Sequence, residues 1–295
     1  MNDRATWRAP QLGPARTIDL GGGRRIRAHA TGDGPPIFVH GALVNANLWR
    51  KVIPRLHGFT RVALDLPLGS HTVPMPKDAD YSSAALADLI ADALDKLDLN
   101  GATVVANDTG GGLTQILAAR RPESVGAFVL TSCDAFDNFP PRFFRIVLAP
   151  ARIPGGASGA FRGLWLRPLR RLPIAYGWLT NEPIEREAED SYVLPVLTSG
   201  EIRRDTRRFL NGFDRDELLD ATAKLASWDK PAMIAWSTGD RFFPTEHAER
   251  LAKVIPGARL EWVENSRTFS PEDRPDRLAE LIGDFAGHGA RTPVA

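Results

Sequence analysis

Short apolar runs, each closed by a turn and followed by a helical pattern, constrain the fold of this chain more than any other feature. "PPIFVHG" at 35–41 and "RVALDLP" at 61–67 are such runs. A strand-like segment at 102–107, "GAFVLTS" at 126–132, "KPAMIAWSTGD" at 230–240 and "RLEWVEN" at 259–265 repeat the form. Continuous runs of this length, without polar alternation, suit strands covered on both faces. "RRIRAHAT" at 24–31 alternates and reads as a further strand. Between the runs, apolar residues recur at helical spacing in "SSAALADLIADALDKLD" (82–98), with Ser82 or Ser83 as the cap, from about 110 to 121, in "TEHAERLAKVI", and in "PDRLAELIGDF". Such β-α alternation predicts an α/β fold: a mostly parallel central sheet with helices on both faces.

The rhythm breaks after residue 134. Residues 139–175 are rich in Pro, Gly and Arg and hold no acidic residue; 182–208 are charged and helical. "FRGLWLRPLRRL" reads as an amphipathic basic helix interrupted by proline. The chain of 295 residues is long enough for one large core carrying an insertion. The division expected is a core of 1–135 and 214–295 with a helical cap at 136–213. The tail "HGARTPVA" is expected to fray.

Bulk properties exclude several classes. A net charge of +1 gives no global reason to expect nucleic-acid or membrane partners. Cys133 is the one cysteine, so no intramolecular disulfide forms and a reducing, cytoplasmic setting is expected. "MNDRATWRAP" has no apolar signal region, and no run is long enough to span a bilayer. No Cys-x-x-Cys or His-Glu-x-x-His occurs, so neither a metal nor another cofactor is expected.

Open parallel sheets bind ligands beyond the carboxyl ends of their strands. The residues that follow the strands are therefore the candidates: His40, Gly41 and Ala42; Gly69, Ser70 and His71; Asp108; Asp134 and Asp137; Asp240 and Arg241; Asn265 to Thr268. Asp108 lies in "VVANDTGGGL", where a strand meets a helix with Ala106, Gly110 and Gly111 as small neighbours. It reads either as a helix N-cap or as a nucleophile raised on a sharp turn.

That segment resembles the nucleophile elbow of the α/β-hydrolase superfamily, with Asp where most members have Ser. Other pieces agree in order along nearly the whole chain. "VHG" followed by "LW" resembles the oxyanion-loop segment, "RVALDLPLGS" a D-x-P-G-x-G-x-S segment, and "GDRFFPTEHAERLAKVIPGARLEWVENS" the acid-bearing segment with the strand beyond it. An elbow Asp marks the branch of haloalkane dehalogenases and epoxide hydrolases. The resemblance implies an α/β-hydrolase fold with Asp108 as nucleophile, the N–H groups of Ala42 and Thr109 as oxyanion hole, and Asp240 as third triad member.

It also exposes a departure. Thr268, 28 residues after Asp240, stands where the family places its histidine. Threonine has no useful basicity at neutral pH. Ala42 and Thr109 replace the usual halide donors, and Leu43 replaces the proline of the epoxide-hydrolase H-G-x-P. His71 is the best substitute base by position, against a turn histidine bonded locally; His40 reads more simply as a brace for the oxyanion loop. Asp134 and Asp137 are candidates near the pocket, against a polar hinge into the cap. Tyr176 and Tyr192 are cap acids by resemblance. Trp49, Phe136, Phe139 and Phe143 are expected to line the pocket, with His40, Asp134, Asp137 and Tyr176 also touching substrate.

Arginines 142, 145, 152, 162, 167, 170 and 171 make a charge-biased arm. A solvated cap face is the plain explanation, and an anionic substrate or carrier-protein partner the sharper one. Phe161, Leu164, Trp165 and Leu169 suit a helix covering the pocket better than a membrane anchor. The leading expectation is a hydrolase acting on a small epoxide, alkyl halide or activated ester, with a non-standard triad. A non-hydrolytic lyase, isomerase or cyclase using Asp108 as acid and base, and a silent binding protein, are the alternatives.

Overall fold

The computed structural model describes residues 3–31, 36–58 and 61–289. Residues 290–295, most of the tail expected to fray, lie outside them. Eight strands form one sheet: β1 (Ala15–Asp19), β2 (Arg25–Thr31), β3 (Ile37–Val39), β4 (Arg61–Asp65), β5 (Ala102–Asp108), β6 (Val125–Cys133), β7 (Ala232–Ser237) and β8 (Arg259–Val263). Their spatial order is β1-β2-β4-β3-β5-β6-β7-β8. β2 is antiparallel to β1 and β4, and every pairing from β4 through β8 is parallel. The expected α/β architecture is therefore present. Its central strands are buried along their length, β3 and β7 at every residue, as strands covered on both faces must be. The sequence reading missed β1, whose residues are mostly exposed. An edge strand with one dry position gives no apolar run to read.

The chain steps from β3 outward to β4, then returns to β5 and proceeds the other way. Strand order thus reverses between β3 and β5. At such a reversal the two following loops diverge and leave a crevice. The loop after β3 carries Gly41 and Ala42, and the turn after β5 carries Asp108. Arg8 helps to fix that first loop. Its Nε donates to Asp65 Oδ2 at 2.8 Å, and Asp65 Oδ1 accepts the Ala46 N–H at 2.8 Å. Burial opposes the Asp65 charge, but Arg8 and His29 hold this carboxyl well below the usual range.

Helix Ser83–Lys96 buries Leu86, Leu89, Ile90 and Leu94 on one face, and the Ser82 hydroxyl caps it by accepting the Ala85 N–H at 3.2 Å. Between β6 and β7 the described chain is helix and turn only. "FRGLWLRPLRRL" is not one helix. It makes a 3₁₀ turn, Arg162–Trp165, then a short helix, Arg167–Arg170. Pro168 has no N–H to continue a helix and sits in the first turn of the second piece. Helices Arg186–Thr198 and Gly200–Asn211 occupy the charged stretch as expected. Helix Arg215–Lys224 was not anticipated; Asp214 caps it, and Thr222 Oγ1 donates to Gln115 Oε1 at 3.0 Å, joining it to the helix behind Asp108. Among the described residues no helix is long and apolar enough to cross a membrane.

Candidate active site

Asp108 ends β5 and caps helix Thr109–Arg120, with φ 54° and ψ −131°. A non-glycine residue rarely adopts positive φ, at a cost of about 1–3 kcal/mol. Here the neighbours enforce it by leaving no other room. A Cβ on Gly41 would lie 2.4 Å from the Asp108 Cβ, and one on Gly110 would lie 2.5 Å from the His40 carbonyl oxygen. The glycines therefore serve close approach, and Asp108 both caps the helix and stands on the sharp turn between strand and helix. Gly41→Ala should destabilise the fold by about 1–3 kcal/mol and displace the carboxylate. Thermal melts together with a crystal structure of the variant check this, and an unchanged Tm would refute it.

The Asp108 carboxylate is gripped from one side. Thr109 donates its backbone N–H and its Oγ1, the latter at 2.9 Å, to Oδ1. The Ala42 N–H also acts on this carboxylate. The two amides expected to form the oxyanion hole thus hold the carboxylate of Asp108 itself. Asp108 nonetheless lines a cavity of about 280 Å³. Its other lining is mostly apolar: Pro140, Phe144, Leu148, Phe161, Leu164, Ile174, Leu179, Leu210 and Phe213, with Tyr176 and Thr109 as polar points. Burial, and then the nearby Asp240, push the Asp108 carboxyl up to about 6 against the Thr109 and Ala42 hydrogen bonds.

Asp240 and Thr268 come together. Thr268 Oγ1 donates to Asp240 Oδ1 at 3.0 Å, and that oxygen also accepts the N–H groups of Phe242 (2.8 Å) and Phe243 (2.9 Å). Asp240 Oδ2 has no hydrogen-bond partner among the described residues. Burial raises the Asp240 carboxyl despite these donors. Asn107, unremarked in the sequence, anchors the arrangement: its Nδ2 donates to the Thr268 carbonyl at 2.8 Å and to Thr131 Oγ1 at 2.9 Å. An Asn inside an apolar strand was the signal available.

Several expected site residues stand elsewhere. His71 does not line the cavity; its Nε2 pairs with Asp205 Oδ2 of helix Gly200–Asn211 at 3.3 Å. His40 is a brace instead of a substrate contact. Its Nε2 accepts the Leu66 N–H at 2.9 Å, so Nδ1 carries the proton and donates to the Gly41 carbonyl at 2.8 Å. Burial lowers its pKa to about 4, so this ring stays neutral. Trp49 packs in the core against Phe38, with ring centroids 5.0 Å apart. Phe136 meets His247 and Arg250. Asp137 is exposed. Phe139 lies behind the cavity wall, edge-on to Phe213, and Phe143 packs among Phe144, Trp178 and Phe242. Tyr192 is buried away from the cavity.

Tyr176 does line it, but its hydroxyl donates to the Leu43 carbonyl at 2.7 Å, and burial raises its pKa. Asp134 follows β6, is fully buried and leaves both oxygens without partners among the described residues. Burial, then the charge of Asp108, raise it well above the usual carboxyl range. Phe161 and Leu164 cover the cavity as expected, whereas Trp165 is 53% exposed. Arg167 and Arg170 are spent on Glu189 and Asp190. Among the described residues no three of His, Cys, Asp or Glu converge on a metal position.

The chain as a whole resembles known proteins. The chain is 28% identical over 302 residues to the uncharacterized protein Rv2715 of Mycobacterium tuberculosis, covering 94% of this chain and 82% of that one. It is 26% identical over 289 residues to the 2-hydroxymuconate semialdehyde hydrolase of Pseudomonas sp. (strain CF600), covering 94% and 96%. The crystal structure of haloalkane dehalogenase DbeA from Bradyrhizobium elkani superposes with a TM-score of 0.78 at 20% identity, over 94% of this chain and 98% of that one. The family described as alpha/beta hydrolase fold matches residues 35–275, and the chain belongs to it.

Proposed function

We propose that this chain is an enzyme in which Asp108 attacks carbon in a small, mostly apolar organic electrophile such as an epoxide, an alkyl halide or an activated ester. Residues 136–213 serve as a cap that closes the cavity over that carboxylate. One observation carries the reading: a carboxylate on a strained elbow, one oxygen gripped by Thr109 and the oxyanion-loop amide nearby, opening on an apolar cavity. Fixing Oδ1 leaves Oδ2 to form the new C–O bond. A halide would leave with the electron pair of its C–X bond. An epoxide oxygen would keep the pair of its broken C–O bond and take a proton from solvent. An activated ester, attacked at its carbonyl carbon, would expel its alcohol as the alkoxide and leave a mixed anhydride, whereas the halide and the epoxide each leave an ester on Asp108. Thr268 holds the place from which a base would activate water, so that ester is expected to persist. Names of relatives favour hydrolases, and the dehalogenase likeness supports the fold.

A second reading has its own support. A carboxyl near pKa 6, beside an unpartnered Asp134, suits reversible proton transfer. Asp108 would then be the acid and base of a non-hydrolytic lyase, isomerase or cyclase. Intact-mass analysis after incubation with alkyl halide, epoxide and ester panels in ¹⁸O-water separates the two. The first predicts a mass gain that maps to the Asp108 peptide. Product without adduct, and without solvent oxygen in either the product or the Asp108 carboxyl after many turnovers, would displace it in favour of the second.

A further inference from the structure

We infer that the segment between β6 and helix Arg186–Thr198 is a docking surface for an anionic phospholipid bilayer, from which an apolar substrate enters the cavity. The large apolar side chains left most exposed among the described residues all fall here: Ile146 (66%), Ile153 (59%), Trp165 (53%), Leu166 (63%), Leu172 (40%) and Ile174 (55%). Exposed apolar residues scattered singly need no explanation, but their confinement to one short stretch does. The same stretch is basic, and of its arginines only Arg167 and Arg170 pair with acidic residues among the described residues. No acidic residue occurs between Asp137 and Glu182. Arg142, Arg145, Arg162 and Arg171 are exposed, and none forms an ion pair among the described residues. Ile174 both is exposed and lines the cavity, so the apolar surface continues into the mouth that leads to Asp108.

Exposed aliphatic and indole groups interleaved with unpaired guanidinium groups fit an anionic interface. The apolar tips enter the boundary between headgroup and acyl chain while arginine meets the phosphates. The backbone suits this too, since its helices here are short pieces separated by Pro and Gly. The low net charge and the pattern of Phe161 to Leu169 argued against a membrane anchor. Neither reveals a local surface, because the acidic residues that balance these arginines lie elsewhere in the chain.

Vesicle co-sedimentation tests the assignment. Phosphatidylglycerol/phosphatidylcholine vesicles should bind the chain at least about tenfold more tightly than phosphatidylcholine alone, with binding weakened by salt. Trp165→Ser with Leu166→Ser should weaken binding about tenfold, and Arg142→Gln, Arg145→Gln, Arg162→Gln and Arg171→Gln together should abolish the preference for anionic lipid. Circular dichroism confirms that each variant is folded. Asp108→Asn should bind as the wild type does, which keeps this result separate from the assignment of the chemistry. The inference is overturned by absence of binding to anionic vesicles, by equal binding to both vesicle types, by self-association through Trp165 and Leu166 in its place, or by salt-sensitive binding of polyglutamate without vesicle binding.

Discussion

Asp108→Asn eliminates adduct and product together, by roughly 10⁴-fold or more, while the protein melts no lower than the wild type. Loss of activity follows because an amide oxygen is a poor nucleophile and an amide is no proton acceptor near neutrality. Retained stability follows from the electrostatics. The folded carboxyl titrates near 6 against an ordinary 3.8, with burial as the main cause. A group whose pKa is raised on folding binds its proton more tightly in the folded state. The corresponding stability is complete below the unfolded value and is lost as pH rises through about 4 to 6. At pH 7 the ionised carboxylate therefore costs the fold roughly 2–3 kcal/mol, which the neutral Asn does not. Activity runs the opposite way: it needs the carboxylate, so it should rise from pH 5 and level off above pH 7. Quenched-mass time courses, a pH–rate profile and thermal melts at pH 5 and 7 check all three. An Asn variant within tenfold of wild type would remove Asp108 from the chemistry.

What the sequence shows of this site follows from physics that acts locally. A strand, a tight turn and a buried helix leave marks in adjacent residues, so Asp108, the glycines around it and the Ala42 and Thr109 amides were readable. Asp240 and Thr268 were readable through their spacing across β8. The cavity wall was readable only in part, at Phe161, Leu164 and Tyr176. Phe139 was expected where Pro140 stands, on the bend before helix Arg142–Val147, and Phe143 where Phe144 stands, on the helix itself. In a helix one residue turns the side chain by about 100°, so placing the right residue type one position away faces it into a different neighbour. The short pieces at Arg142–Val147 and Arg162–Trp165 give too few turns to fix that phase. His71 failed for another reason. Its loop follows a core strand, but Asp205, 134 residues away in sequence, claims the ring. No local pattern encodes such a pairing.

Thr268→His should turn a trapped ester into a turning-over one, shortening its lifetime by about 10²–10⁴-fold. The acid for such a base is already in place. Asp240 is buried, its Oδ1 is oriented by the Phe242 and Phe243 amides, and its third donor is Thr268 Oγ1 at 3.0 Å. An imidazole N–H replacing that hydroxyl would keep the bond to Asp240. The ring would then be held in one tautomer, with the other nitrogen free to take a proton from water. The Thr268 carbonyl is already tied by Asn107, so the backbone that carries the new side chain is fixed. Thr268 is fully buried, and the larger ring will strain its surroundings by about 1–3 kcal/mol. Melting temperature should therefore fall even as hydrolysis appears. Ester lifetime followed by intact mass, with solvent ¹⁸O recovered in the Asp108 carboxyl after one turnover and in the released alcohol only from later turnovers, reads the gain directly. A folded His variant whose adduct persists as long as the wild type's would mean that the Asp240–Thr268 pair does not face the ester, and that the missing base was never the barrier.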